Sequence, residues 1–145
     1  MTTSMTTSHT QARTAARWVL GAALILAGIA HLSVLRDEFQ AQVPSWFPVD
    51  ADLVVLVSGA IEVVLGAALI LARSRRSPLV GVVVAGFFVV IFPGNIAQFV
   101  EGNSAFGLDT DAARLTRLLF QPLLVVWALW STGGWQLLRD RVSNR

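Results

Sequence analysis

The sequence predicts an all-α integral membrane protein, a bundle of four transmembrane helices with both termini on the cytoplasmic side. Three observations carry this: a shortage of charge, four long apolar runs and an uneven distribution of arginine. Of 145 residues, 54% are hydrophobic and 14% charged, whereas about a quarter are charged in an ordinary soluble domain. A soluble fold of this size needs a charged shell, and the charges to build one are missing. The length allows one domain at most.

The predicted spans cover about 18–35, 53–72, 79–100 and 115–131. Each approaches or reaches the ~20 residues that a helix needs to cross ~30 Å of hydrocarbon. Helices are the economical choice, because backbone amides in lipid must be satisfied within their own segment. The alternating segments of ~10 residues that a barrel requires are absent. The spans form one transmembrane domain over 17–138, between a polar tail over 1–16 and a basic cytoplasmic tail over 139–145. The first tail repeats Met-Thr-Thr-Ser at Met1 and Met5, and its polarity predicts disorder. Met5 is an alternative start. Arg13 and Arg17, ahead of an apolar run containing Gly28 and Ala30, also imitate a cleavable signal peptide. A three-span mature form therefore stands as an alternative.

Orientation follows from arginine, the sole base in a chain without lysine. Arg13 and Arg17 precede span one. Arg73, Arg75 and Arg76 fill the short connection after span two, and Arg139, Arg141 and Arg145 follow span four. The other two loops are acidic, with Asp37, Glu38, Asp50 and Asp52 in one and Glu101, Asp109 and Asp111 in the other. The acidic loops are expected outside. Trp46 and Phe47, between Pro44 and Pro48, form an outer interfacial anchor, and Trp18, Trp127, Trp130 and Trp135 an inner aromatic belt. The bases flank apolar runs instead of forming a patch, so no nucleic-acid partner is expected. The absence of Cys excludes disulfides, thiolate metal sites and dithiol relays.

A polar side chain at bilayer depth requires an explanation. His31, Glu62, Asn95, Arg117 and Gln121 come from all four spans, with Glu62 near the midplane and the others toward the outer half. They are the candidate walls of one outward-facing polar pocket. Glu62 shares a helical face with Gly59 and Gly66, small residues that let a neighbouring helix approach. An ionised carboxylate there needs a cation or several donors, and otherwise the acid stays protonated. It is either a ligand-binding or proton-responsive acid, or a hydrogen-bonded link between helices. His31 is a candidate ligand contact or a satisfied interior residue. The other histidine, His9, lies in the tail, so a bis-His haem within the chain is excluded and a zinc site has too few ligands.

Phe92-Pro93-Gly94-Asn95 interrupts span three, since Pro93 removes a backbone donor and Gly94 weakens the helix. This is a simple kink or a cavity-lining break, with Asn95 and Gln98 available to cover freed carbonyls. Span four opens on Asp109-Thr110-Asp111, a candidate N-cap. Arg114, Arg117 and Gln121 recur on one face, and Pro122 repeats the device of span three. Arg114 is expected to snorkel to the outer surface and Arg117 to turn inward, toward Glu62 or an anionic ligand.

Several of these motifs together resemble the DoxX-like family of small bacterial membrane proteins. They are His31 at the end of span one, Pro44-Ser45-Trp46-Phe47-Pro48, Ser58-Gly59-x-x-Glu62, Phe92-Pro93-Gly94-Asn95-Ile96, and Arg117-x-x-x-Gln121-Pro122. The resemblance covers roughly residues 17 to 132. Gly94 stands where the family more often has Ala. The resemblance implies a four-helix, multi-pass protein of the bacterial plasma (inner) membrane, in a wider group that includes a subunit of thiosulfate:quinone oxidoreductases. A quinone and a redox partner protein are implied with it. The chain itself offers no cofactor motif, neither a Gly-rich dinucleotide loop nor a flavin domain.

These observations rank three functions. The leading expectation is a non-catalytic membrane subunit or accessory protein whose polar pocket binds a small lipophilic molecule or an anion. Its partners are the lipid bilayer, a redox protein or further copies of itself. The alternatives are a small proton-coupled transporter using Glu62, and a membrane enzyme using Glu62 and His31 as an acid–base pair. A structural protein whose polar residues only hold helices together completes the set.

Overall fold

A computed structural model describes residues 2–107 and 110–143, with side chains from residue 10 onward. Its six helices are α1 (Thr2–His31), α2 (Arg36–Gln40), α3 (Ala51–Leu71), α4 (Ser77–Glu101), α5 (Asp111–Thr132) and α6 (Gly134–Ser143). Four of them, α1 from Thr10, α3, α4 and α5, are long and apolar enough to cross a membrane. The protein is an all-α four-helix bundle and a multi-pass membrane protein.

Helix boundaries follow local chemistry. Asp50 caps α3 by accepting from the Leu53 amide at 3.1 Å, and Thr110 caps α5 by accepting from Ala113 at 3.2 Å. Asp109, expected to share that second cap, lies outside the described residues. Pro78 opens α4, and left-handed Gly102 closes it. Span one stops at His31, four residues short of the predicted end, because the chain turns through Leu32–Leu35 into α2. The polar segment over 1–16, expected to be a disordered tail, is helical from Thr2. These residues prolong the span-one helix by about four turns, and propagating an established helix needs no new nucleus. The predicted basic tail is instead the end of α6, with Arg145 outside the described residues.

Packing divides the bundle into two pairs, α1 with α3 and α4 with α5, which join chiefly through α1 and α5. Glycines set the first pair. A Cβ on Gly28 would lie 2.5 Å from the Gly59 carbonyl oxygen, and one on Gly66 would lie 2.5 Å from that of Gly21. The two backbones are in contact, as small-residue seams allow in membranes. At the arginine-rich end, Leu20, Leu24, Leu69, Val84, Phe88 and Leu129 form a dry core. Outward faces carry Val19, Leu26, Val57, Val64, Val89 and Leu123, all half-exposed or more, in keeping with lipid as their solvent.

The arginines ahead of span one also act as caps. Arg17 donates to the Ala72 carbonyl at the end of α3 at 2.9 Å, and Arg13 to the Trp130 carbonyl near the end of α5 at 2.9 Å. Both place positive charge at the negative end of a helix dipole.

Candidate functional site

α3 and α4 make little contact with each other, and toward the acidic end a cavity of about 420 Å³ lies between them. Val54, Val55, Ser58 and Glu62 of α3 form one wall, and Val90, Ile91, Gly94 and Asn95 of α4 the other. Val90 of the span and Trp46 of the first loop both line it and are 76% and 69% exposed, so the cavity opens at the side of the bundle and beneath that loop.

Its roof is the first acidic loop. Arg36 on α2 hydrogen-bonds both carboxylate oxygens of Asp52, and Gln40 donates to the same group at 3.2 Å. The Asp52 hydrogen bond, with Asp37 and Asp50 nearby, holds the Arg36 guanidinium above its ordinary value. That anchorage carries Phe39 and Gln42 over the cavity. The second loop clasps the first. Glu38 accepts from the Phe106 amide at 2.7 Å, Glu101 accepts from the Ser45 hydroxyl at 3.0 Å, and Asn103 donates to the Ala41 carbonyl at 3.3 Å. The acids that marked these loops as external therefore also tie them together. Gly94 lets the roof close, since a Cβ there would stand 2.6 Å from the Gln42 carbonyl oxygen.

Of the candidate residues, His31, Glu62, Asn95 and Arg117 line the cavity, as do Pro93 and Gly94. Gln121 does not. It stands behind Asn95, accepting from its amide at 2.9 Å and donating to the Phe88 carbonyl at 2.8 Å. This pair is a buried link between α4 and α5, and α4 runs through Pro93 as one helix. Gln98, expected to help cover freed carbonyls, points instead to the Asn103 carbonyl at 3.5 Å. Gly59 and Gly66 belong to the α1–α3 seam, and Pro122 stays outside the cavity lining.

Glu62 is 5% exposed, and its Oε2 has no hydrogen-bond partner among the described residues. His31 Nδ1 lies 3.1 Å from its Oε2 but is 2.8 Å from the Ala27 carbonyl. A carbonyl can only accept, so that contact puts the proton on Nδ1 and directs it along the helix. Oε2 is left beside the ring with no donor among the described residues. The Gly59 position is part of this geometry, because a Cβ there would come within 2.6 Å of the His31 Cβ.

An aromatic series leads away from the acid. The His31 ring stacks on Phe39 with centroids 3.4 Å apart, Phe39 meets Phe106 edge-on at 4.6 Å, and the Arg117 guanidinium lies 4.7 Å from the Phe106 centroid. Arg117 does turn inward. It has no ion pair among the described residues, and the Phe106 face supplies its charge contact. Phe106 itself has φ +58°, a left-handed conformation that bulky residues rarely hold. The hydrogen bond from its backbone amide to the Glu38 carboxylate holds it there. Arg114 does not snorkel: its side chain is 9% exposed and pairs with Asp111 at 2.7 Å.

Sequence reasoning missed Phe39 and Gln42. The Gln42 amide nitrogen is buried with no acceptor among the described residues, and it lines the same cavity as Glu62. Nothing in the sequence distinguishes it from any other loop glutamine.

No curated protein and no solved structure matches the chain significantly. A family match spans residues 20–132 and takes in all five candidate polar residues; by that match the chain belongs to the family described as Domain of unknown function (DUF8561).

Proposed function

We propose that the protein is a non-catalytic membrane subunit or accessory protein that binds a small neutral amphiphile entering from the bilayer between α3 and α4. One observation carries this reading. Among the described residues, Glu62 Oε2 and Gln42 Nε2 are buried on the same cavity, one an acceptor without a donor and the other a donor without an acceptor. Buried polar atoms left unpaired are rare and costly. A ligand with a hydrogen-bonding group at each end satisfies both.

Charge narrows the class. Glu62 repels an anion and Arg117 repels a cation, while a neutral molecule meets neither penalty. The His31–Phe39 stack and the walls of Val54, Val55 and Val90 suit a flat apolar body. The simple anion of the sequence reading fits this set less well. A quinone or quinol has the required form, and the resemblance to DoxX-like proteins makes it the first candidate, with a redox protein as partner. The same resemblance and the arginine asymmetry support a cavity on the outer side of a bacterial inner membrane.

The His31–Glu62 distance favours a second reading, an acid–base pair. With Nδ1–H donated to Ala27, only Nε2 remains to exchange a proton with substrate. His31→Gln would abolish turnover on that reading, while leaving ligand retention largely intact.

The test is mass spectrometry of what co-purifies with the gently solubilised protein, wild type beside Glu62→Gln. A neutral amphiphile retained by wild type and depleted at least tenfold in the variant supports binding. Equal bulk lipid in both samples, with no such molecule, overturns it.

A further inference from the structure

The basic end of the bundle carries a second site that the cavity does not involve. α6 follows α5 across Gly133, whose φ of +81° turns the chain sharply at the end of the span. A helix joined there starts at the membrane surface. Trp135, Leu138 and Val142 recur at three- and four-residue spacing on α6 and are 53%, 38% and 78% exposed. Arg139 and Arg141 lie between them in sequence. An apolar stripe with basic neighbours at this depth is the pattern of a helix lying in the interface.

Arg13 faces the elbow between α5 and α6. Its Nε is held by the Trp130 carbonyl at 2.9 Å, which leaves the two terminal nitrogens. It has no carboxylate partner among the described residues. With Trp130, Trp135 and Gln136 it lines a cavity of about 390 Å³. The seven described arginines of this end, from Arg13 to Arg141, stand against one acid, Asp140. The charge complement of such a surface is an anionic headgroup, and an oriented guanidinium is suited to phosphate oxygens.

We infer that the elbow binds one anionic glycerophospholipid. Arg13 holds its phosphate, Gln136 and the Trp135 indole flank the headgroup, and the acyl chains run along the exposed Trp130 face of α5. The apolar face of α6 is covered by the same leaflet, neither by a second copy of the chain nor by a soluble partner.

Native mass spectrometry of the full chain in detergent tests this, with phosphatidylglycerol and phosphatidylcholine of equal acyl length titrated in parallel. Wild type is expected to retain one phosphatidylglycerol at least fivefold more tightly than phosphatidylcholine. Arg13→Gln is expected to lose that preference, while Arg75→Gln, which removes the same charge elsewhere on the same end, keeps it. If Arg13→Gln does not fold, Trp135→Ser takes its place, since that side chain is half exposed and supports no core. Equal retention of the two lipids by wild type overturns the site. So does an equal loss in Arg75→Gln, which would make the attraction diffuse. A dimer abolished by Trp135→Ser, with no lipid preference, would assign the face to a second copy and also overturn it.

Discussion

Glu62 Oε2 and His31 Nδ1 lie 3.1 Å apart, yet the imidazole proton is directed to the Ala27 carbonyl. The one intramembrane acid is thereby placed beside a donor already in use. Its free oxygen opens on a cavity that also exposes the unpaired Gln42 amide and the Arg117 guanidinium. Fold and function meet at this point, since the glycine seam that brings α1 onto α3 also sets the distance between the two side chains.

Replacing Glu62 with Gln is expected to leave thermal stability unchanged or raise it, by up to about 2 kcal/mol. A buried acid oxygen without a hydrogen-bond donor contributes a desolvation cost and no compensating bond. Thermal unfolding in detergent checks this. A loss above about 1 kcal/mol would mean that the carboxylate holds helices together.

The Asn95–Gln121 link should behave in the opposite way. Gln121→Leu leaves both Asn95 and the Phe88 carbonyl without their partner, and a loss of about 1–2 kcal/mol is expected. A double-mutant cycle with Asn95→Leu is expected to give a coupling of about 0.6 kcal/mol, at most ~1.7. Zero coupling would remove the link from the account.

Gly59→Ala tests the seam and the site together. Its Cβ would crowd His31, and overpacking of this kind typically destabilises by about 1–3 kcal/mol. Ligand retention is expected to fall along with stability, because the imidazole must shift relative to Glu62. Retention unchanged at reduced stability would separate His31 from the site.

The sideways opening predicts selective chemistry at Glu62. A lipophilic carbodiimide should modify it from the bilayer, and peptide mass spectrometry should locate the adduct. A water-soluble carbodiimide should instead label exposed acids such as Glu101 and Asp140. Labelling of Glu62 by the water-soluble reagent alone would show an aqueous entrance in place of a lipid one.

Much of this was legible in the sequence, for a physical reason. Lipid solvates every outward side chain, so spans must be continuous apolar runs, and polar residues within them stand out. Glu62, His31 and Arg117 were found that way. Helix ends were less legible: Leu32–Leu35 are as apolar as the span before them, and hydropathy does not separate a helix from an apolar turn. The two short helices α2 and α6 carry no long run to detect, although Gly133-Gly134 was a usable stop signal. Gln121 was assigned to the cavity wall because helical spacing shows that a residue faces inward, not whether it meets space or another helix. Phe39 and Gln42 were invisible, since their place over the cavity comes from the Arg36–Asp52 anchorage.

The most direct test of the central claim is an experimental structure of the gently extracted protein in a lipid nanodisc, viewed between α3 and α4. Non-protein density reaching both Glu62 Oε2 and the Gln42 amide is the expected result. A cavity closed by Trp46 and Phe47, with Glu62 hydrogen-bonded by His31 or paired with Arg117, would contradict it.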